Sequence, residues 1–106
     1  MSTDQALATA VREATLAVPG VAWLASGAAA EAATYFAGGK VVGVRLAGDT
    51  VEVHVVLDRL PVPPVAARVD QAVRQVLAAA GDPRPIRVVV EDVADAALQA
   101  QPAGGS

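Results

Sequence analysis

The fold of this chain is decided by the stretch VGVRLAGDTVEVHVVL at residues 42–57. Valines alternate with polar residues on both sides of Gly48-Asp49, and this pattern is typical of two strands joined by a two-residue turn. A Gly-Asp turn is expected to be of the primed type, in which Gly48 adopts a positive φ. The sequence therefore predicts a β-hairpin over residues 42–57.

The register of the hairpin follows by counting outward from the turn. One face then becomes wholly apolar, while the other places Arg45 opposite Glu52 and Gly43 opposite His54. A slip of one residue would turn the apolar side chains to the wrong face. The expected apolar pairs are Leu46 with Val51, Val44 with Val53, and Val42 with Val55.

Two amphipathic helices are predicted on either side of the hairpin. Apolar residues at helical spacing indicate a first helix over residues 3–18, ended by Pro19-Gly20. A second helix is expected to begin in the proline-rich segment 61–64 and to end at Gly81. The buried stripe expected for the second helix is Val65, Val69, Ala72, Val73, Val76 and Ala80.

The remaining segments complete an α+β fold. Residues 86–91 alternate as a strand that a crossover through the second helix returns to the sheet, and residues 21–25 suit an edge strand. The order helix, β-hairpin, helix, strand favours a two-layer sandwich, with both helices on one face of a small three- or four-stranded sheet. Residues 1–98 are then one domain, and residues 99–106 a flexible tail.

Composition excludes several classes of protein. A chain of 106 residues with 54% hydrophobic and 18% charged residues is expected to fold as one domain. Its net charge of -3, without a basic stripe, disfavours nucleic-acid binding. The absence of cysteine excludes disulfides, thiolate catalysis and sulfur-ligated zinc.

The sequence gives no sign of export or of a membrane span. The N-terminal segment lacks the positive start and apolar run of a secretory signal. Residues 14–30, the longest uncharged stretch, are fewer than the roughly 20 that a spanning helix needs, and Pro19-Gly20 interrupts them. We therefore expect a cytoplasmic protein.

The second face of the sheet is the first candidate surface for function. It mixes valines with charges, so it suits contact with another protein. Because Glu52, His54 and Glu91 share this face, a metal or small-molecule site is an alternative, although zinc and iron sites usually have three protein ligands. Its expected members are Arg45, Glu52, His54, Val56, Arg87, Val89 and Glu91.

The three aromatic residues lie between the first helix and the hairpin. Trp23, Tyr35 and Phe36 either seal one end of the core or provide an anchor at an interface. We include Trp23 and Tyr35 in the possible interaction surface for the second reason.

No catalytic or cofactor-binding set is predicted. Ser26 lacks the nucleophile-elbow pattern, and the segment Gly38-Gly39-Lys40 lacks the length of a phosphate-binding loop. An RNA-binding module of the KH type is a weaker alternative, since its Gly-x-x-Gly clamp is absent. We therefore predict a protein that is not an enzyme and needs no cofactor.

Over about residues 8 to 93 the sequence resembles the alkaline shock protein family of bacterial envelope stress proteins, in its short actinobacterial form. Similar proteins often have Pro-Gly-Arg-Arg where this chain has Ala-Gly-Gly-Lys at residues 37–40, and an aromatic-Gly pair near residues 58–60. The resemblance rests on Val18-Pro19-Gly20-Val21-Ala22, Ala33-Thr34-Tyr35, Val42-Gly43-Val44-Arg45, Val51-Glu52-Val53-His54-Val55-Val56, the proline-rich entry to Val65-Ala66, and Val88-Val89-Val90-Glu91-Asp92-Val93.

The resemblance implies a non-enzymatic stress-response protein that acts as a scaffold. Such a protein would associate with copies of itself or with paralogous family members, or would dock on a membrane-anchored partner while remaining in the cytoplasm. The family has no catalytic residues, so no site residue is carried over to this chain.

Overall fold

The computed structural model of the chain describes residues 3–27 and 31–94. The predicted C-terminal tail, residues 99–106, lies outside the described residues. The elements in chain order are α1 (Thr3–Leu16), β1 (Val21–Leu24), β2 (Ala33–Phe36), β3 (Gly39–Val42), β4 (Val44–Leu46), β5 (Val51–Leu57), α2 (Val62–Ala80) and β6 (Ile86–Val93).

The strand β5 is the centre of a four-stranded mixed sheet. Along one side, β6 runs parallel to it from the Val51 end to the Leu57 end. Along the other side, β4 pairs antiparallel with the first half of β5 and β1 with the second half. The last strand therefore joins the sheet of the hairpin, as the crossover predicts, and the apolar run at residues 21–25 is an edge strand.

Most of the predicted hairpin register is confirmed, but one pair is wrong. Arg45 lies opposite Glu52, and the pairs of Val44 and Leu46 are as predicted. Val42 instead pairs with Ala33 of β2, and Val55 pairs with Leu24 of β1. The physical cause is Gly43, whose φ of +90° turns the chain out of the sheet between β3 and β4.

The turn of the hairpin also differs from the prediction. Ala47 N–H donates to the Thr50 carbonyl at 2.9 Å, so the two-residue turn is present. Gly48 does not have a positive φ, and neither does Asp49, so the turn is not of the primed type. The positive φ expected there is found five residues earlier, at Gly43.

A second hairpin, β2–β3, was not predicted from the sequence. It forms a separate two-stranded sheet inserted between β1 and β4. The buried Thr34 hydroxyl donates to the Val44 carbonyl at 2.7 Å and so fixes the inserted hairpin beside β4. Phe36 packs against the main core from this hairpin.

The core lies between the sheet and the two helices, which confirms the α+β two-layer prediction with both helices on one face. It is built mostly from valine, and small branched side chains can interdigitate closely. Side chains from α1, α2 and the central strand that share this core include Val11, Val53, Val55, Leu57, Val69 and Val73.

The predicted ends of the two helices agree with the structure to within two residues. The helix α1 stops at Leu16, two residues before the predicted end, and the chain then turns through Pro19-Gly20. Gly81 ends α2 in the left-handed conformation at φ 70°, as predicted. The buried stripe of α2 contains Leu77 in addition to the predicted valines at 65, 69 and 73, whereas Ala80 is exposed.

Candidate interaction surface

The outer face of the sheet is the face turned away from the helices. Alternation along β5 sends Val53 and Val55 into the core and places His54 on the outer face. Trp23 joins the outer face because it is the Cα partner of Val56. The outer face comprises Trp23, Arg45, Glu52, His54, Val56, Arg87, Val89 and Glu91.

His54 lies between two carboxylates on this face. Its Nδ1 is 2.6 Å from Glu91 Oε2, and its Nε2 is 3.1 Å from Glu52 Oε1. The His54 side chain is only 13% exposed, so both contacts are partly shielded from water. A neutral imidazole donates from one nitrogen and the imidazolium from both, so both contacts are hydrogen bonds only in the charged form.

This arrangement does not suit a metal ion. The two ring nitrogens point away from each other, so Glu52 and Glu91 are held on opposite sides of the His54 ring. A metal ligand set needs its donor atoms to converge on one point. In residues 3–27 and 31–94, no three His, Cys, Asp or Glu side chains are placed to hold a metal.

The same contacts leave no general base for a serine nucleophile. Both nitrogens of His54 already face carboxylates, and catalysis would need one of them directed at a hydroxyl. Ser26 is exposed in the loop after β1, where its carbonyl accepts the Ala32 N–H at 2.7 Å. The described geometry therefore gives Ser26 no base at His54.

An exposed tryptophan stands at one edge of the outer face. Trp23 is 53% exposed, whereas its strand partner Val56 is only 6% exposed. Val56 does not belong to the core cluster beneath the helices. It is buried on the outer side of the sheet, beside an indole ring that itself faces water.

Two arginines on the outer face have no ionic partner among the described residues. Arg45 is the Cα partner of Glu52, as predicted, yet the two side chains form no ion pair, and Glu52 contacts His54 instead. Arg87 is also opposite Glu52, from the β6 side, and forms no ion pair. Both arginines are exposed, so their charges are available to an external acidic group.

The other two aromatics do not join the outer face. Tyr35 is 64% exposed on the inserted hairpin, where its hydroxyl donates to Glu31 and Lys40 Nζ lies 5.9 Å from its ring centre. Lys40 also donates to Glu31 at 2.6 Å. These bonds lower the pKa of Glu31, chiefly through Lys40 and then through Tyr35, and the bond to Glu31 raises the pKa of Tyr35.

Two open clefts lie apart from Glu52, His54 and Glu91, although Arg45 of the outer face lines the second. An apolar cleft of about 420 Å³ runs between α1 and α2, lined by small side chains such as Ala6, Ala10 and Ala79. A mixed cleft of about 410 Å³ lies between the start of α1 and the inserted hairpin, with Asp4 and Arg45 on its rim. Neither cleft was predicted, because each is lined by residues from segments that are distant in the sequence.

Comparisons with known proteins found no match. No protein-family model matches the chain, and no curated protein or solved structure matches it. No helix in the part of the chain that the structure describes is long and apolar enough to cross a membrane.

Proposed function

We propose that this chain is a non-enzymatic protein-interaction module that docks a protein partner through its outer face. The observation that carries the proposal is Trp23, an indole more than half exposed beside the buried Val56. Tryptophan, tyrosine and arginine are the residues most enriched at energetic centres of protein interfaces. The outer face combines one such tryptophan with the unpaired Arg45 and Arg87.

The charge pattern supports a specific partner rather than general stickiness. Glu52 lies between Arg45 on β4 and Arg87 on β6, and His54 and Glu91 follow further along the same face, so acidic and basic groups alternate across a small area. A partner must present complementary charges in the matching order, and such patterns fix register and exclude wrong partners. This favours a folded protein surface over a lipid or a nucleic acid.

The biological setting is proposed from the sequence resemblance alone. A member of the alkaline shock family would act in the stress response of the cell envelope, in the cytoplasm, and would meet a membrane-anchored protein or a relative of its own family. On this proposal the outer face is the surface that such a partner covers.

The proposal is tested by recovering proteins from solubilised envelope membranes with wild-type chain, Trp23→Ala and Tyr35→Ala. Tyr35 is the matched control, since it is the other strongly exposed aromatic residue and lies on the inserted hairpin, not on the four-stranded sheet. Truncating an interface tryptophan costs about 2–4 kcal/mol, or roughly 30-fold or more in affinity. We expect Trp23→Ala to lose the proteins that wild type and Tyr35→Ala both retain.

Fluorescence gives a second readout with a purified partner. Trp23 is the only tryptophan of the chain, so its emission reports on the outer face alone. Docking should shift the emission to shorter wavelength and reduce quenching by a soluble quencher. Equal recovery by all three proteins, with unchanged emission, would contradict the proposal.

A further inference from the structure

The strand β6 has one open edge in the described part of the chain. It pairs only with β5, although it runs for eight residues from Ile86 to Val93. Apolar side chains dominate this strand, and an unpaired edge of this kind exposes backbone N–H and C=O groups that can bond to another strand. The shorter β1 and β4 occupy the opposite side of the sheet.

The backbone groups on the open edge can be identified. Val51 N–H donates to the Pro85 carbonyl at 2.9 Å, so the Pro85 carbonyl points toward β5. Backbone groups point alternately to the two sides of a strand. The N–H and C=O groups of Val88 and Val90 therefore face the open edge.

We propose that β6 pairs antiparallel with β6 of a second copy of this chain, about a two-fold axis at Val89. In this register Val88 of one copy exchanges two hydrogen bonds with Val90 of the other, and the two Val89 side chains meet on the outer face. The inference rests on the proposed function, since it names a second copy as one partner of the interaction module.

The charges of Arg87 and Glu91 favour this register over its neighbours. With the axis at Val89, Arg87 of each copy lies opposite Glu91 of the other copy, on the same face of the sheet. Arg87 is exposed without an ionic partner among the described residues, and Glu91 uses only Oε2 for His54. Opposite charges that face each other across strands stabilise the pairing.

Neighbouring registers lose this complementarity. An axis at Val88 places Arg87 opposite Val89 of the other copy, and an axis at Val90 places it opposite Val93. Both leave the arginine and the glutamate unpaired. The axis at Val89 alone among these three pairs both charges, and it does so twice by symmetry.

The pairing also covers apolar surface on the helix side of the sheet. Ile86, Val88 and Val90 pack against the core but remain partly exposed at its margin. In the proposed register Val88 and Val90 of a second copy would lie against Val90 and Val88, while Ile86 would lie opposite Asp92. Both outer faces would then lie on one side of a continuous sheet, so one dimer would present Trp23 and Arg45 twice, with Arg87 taken up by the pairing.

A single introduced cysteine tests the register. The chain has no cysteine, so Val89→Cys carries one thiol. Residues facing each other in a non-hydrogen-bonded antiparallel pair have Cα atoms about 4.5 Å apart, which is within disulfide range. We expect Val89→Cys to form a disulfide-linked dimer under mild oxidation, at a rate at least about tenfold above that of Arg87→Cys.

Arg87→Cys is the matched control on the same strand and face. In the proposed register the two copies of position 87 lie four residues apart along the strands, or about 13 Å, too far for a disulfide. Equal cross-linking of the two variants would overturn the register. Wild-type chain that stays monomeric in sedimentation at the highest soluble concentration would overturn the pairing.

Charge reversal gives an independent test by sedimentation. Arg87→Glu and Glu91→Arg each place like charges opposite each other, and each should raise the dimer dissociation constant by about tenfold or more. An equal mixture of the two variants restores both ion pairs, so it should form the mixed dimer. Circular dichroism confirms that each variant folds, and a mixture no tighter than its components would overturn the proposal.

These results are separable from the proposed function. Monomeric wild type whose partner recovery still depends on Trp23 would overturn the pairing of β6 and leave the docking surface standing. If Val89→Cys forms linked dimers but recovery of envelope partners does not depend on Trp23, the docking surface would be overturned and the pairing of β6 would stand.

Discussion

Replacement of Gly43 by alanine should be among the most destabilising small substitutions in this protein. Gly43 has a φ of +90°, and a Cβ built on it would lie 2.4 Å from Leu24 Cβ. A side chain at positive φ costs about 1–2 kcal/mol. Overpacking typically costs a further 1–3 kcal/mol, and the stiffer unfolded chain returns about 0.4–1 kcal/mol. We therefore expect Gly43→Ala to lower the free energy of unfolding by about 2–4 kcal/mol.

Urea unfolding followed by circular dichroism measures this loss, and two other glycines separate its causes. Gly38 has a φ of +94°, and a Cβ added to it would have no neighbour within 4 Å. Gly38→Ala should therefore show the backbone strain alone and lower the free energy of unfolding by about 1 kcal/mol or less. Gly48 does not have a positive φ, and a Cβ added to it would have no neighbour within 4 Å, so Gly48→Ala should be neutral or slightly stabilising. At the usual urea slopes the midpoint of Gly43→Ala should fall by about 1–2 M.

A second substitution tests whether the contact with Leu24 is responsible. Leu24→Ala removes the atoms at 3.0 and 3.2 Å from the virtual Cβ of Gly43 but retains the Cβ at 2.4 Å. It should therefore relieve little of the cost of Gly43→Ala in the double variant. Equal stability of Gly43→Ala and Gly38→Ala, or full recovery of stability in the Gly43→Ala, Leu24→Ala double variant, would refute a clash with the Leu24 Cβ as the cause.

Three further predictions concern single sites. Tyr35 is the only tyrosine, and its raised pKa follows from its bond to Glu31, so Glu31→Gln should lower the alkaline midpoint of tyrosinate absorbance toward about 10. Hydrogen bonds from Arg84 lower the pKa of Asp82 in the folded protein. The ionised Asp82 carboxylate therefore stabilises the fold fully above its pKa in the unfolded chain, about 3.9, and this stabilisation is lost as the pH falls through its pKa in the folded protein. Urea unfolding of wild type and Asp82→Asn at a series of acidic pH values should show their difference shrinking over that range, and a constant difference would contradict this. Leu57 is fully buried, so Leu57→Ala should lower the free energy of unfolding by about 2–5 kcal/mol in the same assay.

The parts of the fold that the sequence predicts are those with a strong local period. Alternating valines in β5 and heptad-like valines in α2 give unambiguous faces, so the core and the register from Val44 onward could be predicted. The inserted hairpin could not, because its strands are short and its sequence lacks alternation. The route of the chain there depends on Gly43 meeting Leu24, a contact between residues that are distant in sequence.

The sequence was sufficient to predict which residues lie on the outer face, but not which hydrogen bonds they form there. Alternation alone placed His54 with Glu52, and the crossover brought Glu91 alongside. Glu91 lies where the register of β6 shifts, between the partners of Val55 and Val56. A bulge leaves no reliable trace in a run of valines, so the contact of Glu91 Oε2 with His54 Nδ1 could not be predicted in detail. The choice of Glu52 between His54 and Arg45 depends on side-chain conformation, which alternation does not determine.

The two sides of the sheet are protected unequally, and this asymmetry links the fold to the proposed interactions. On the β4 side, the inserted hairpin occupies the edge, because the Thr34 hydroxyl takes up the Val44 carbonyl. On the β6 side no described residue takes that place. Proteins usually cover a long apolar edge or charge it to prevent pairing. Here the charges at Arg87 and Glu91 are opposite in sign and symmetric about Val89, so they favour a matched strand instead of repelling it.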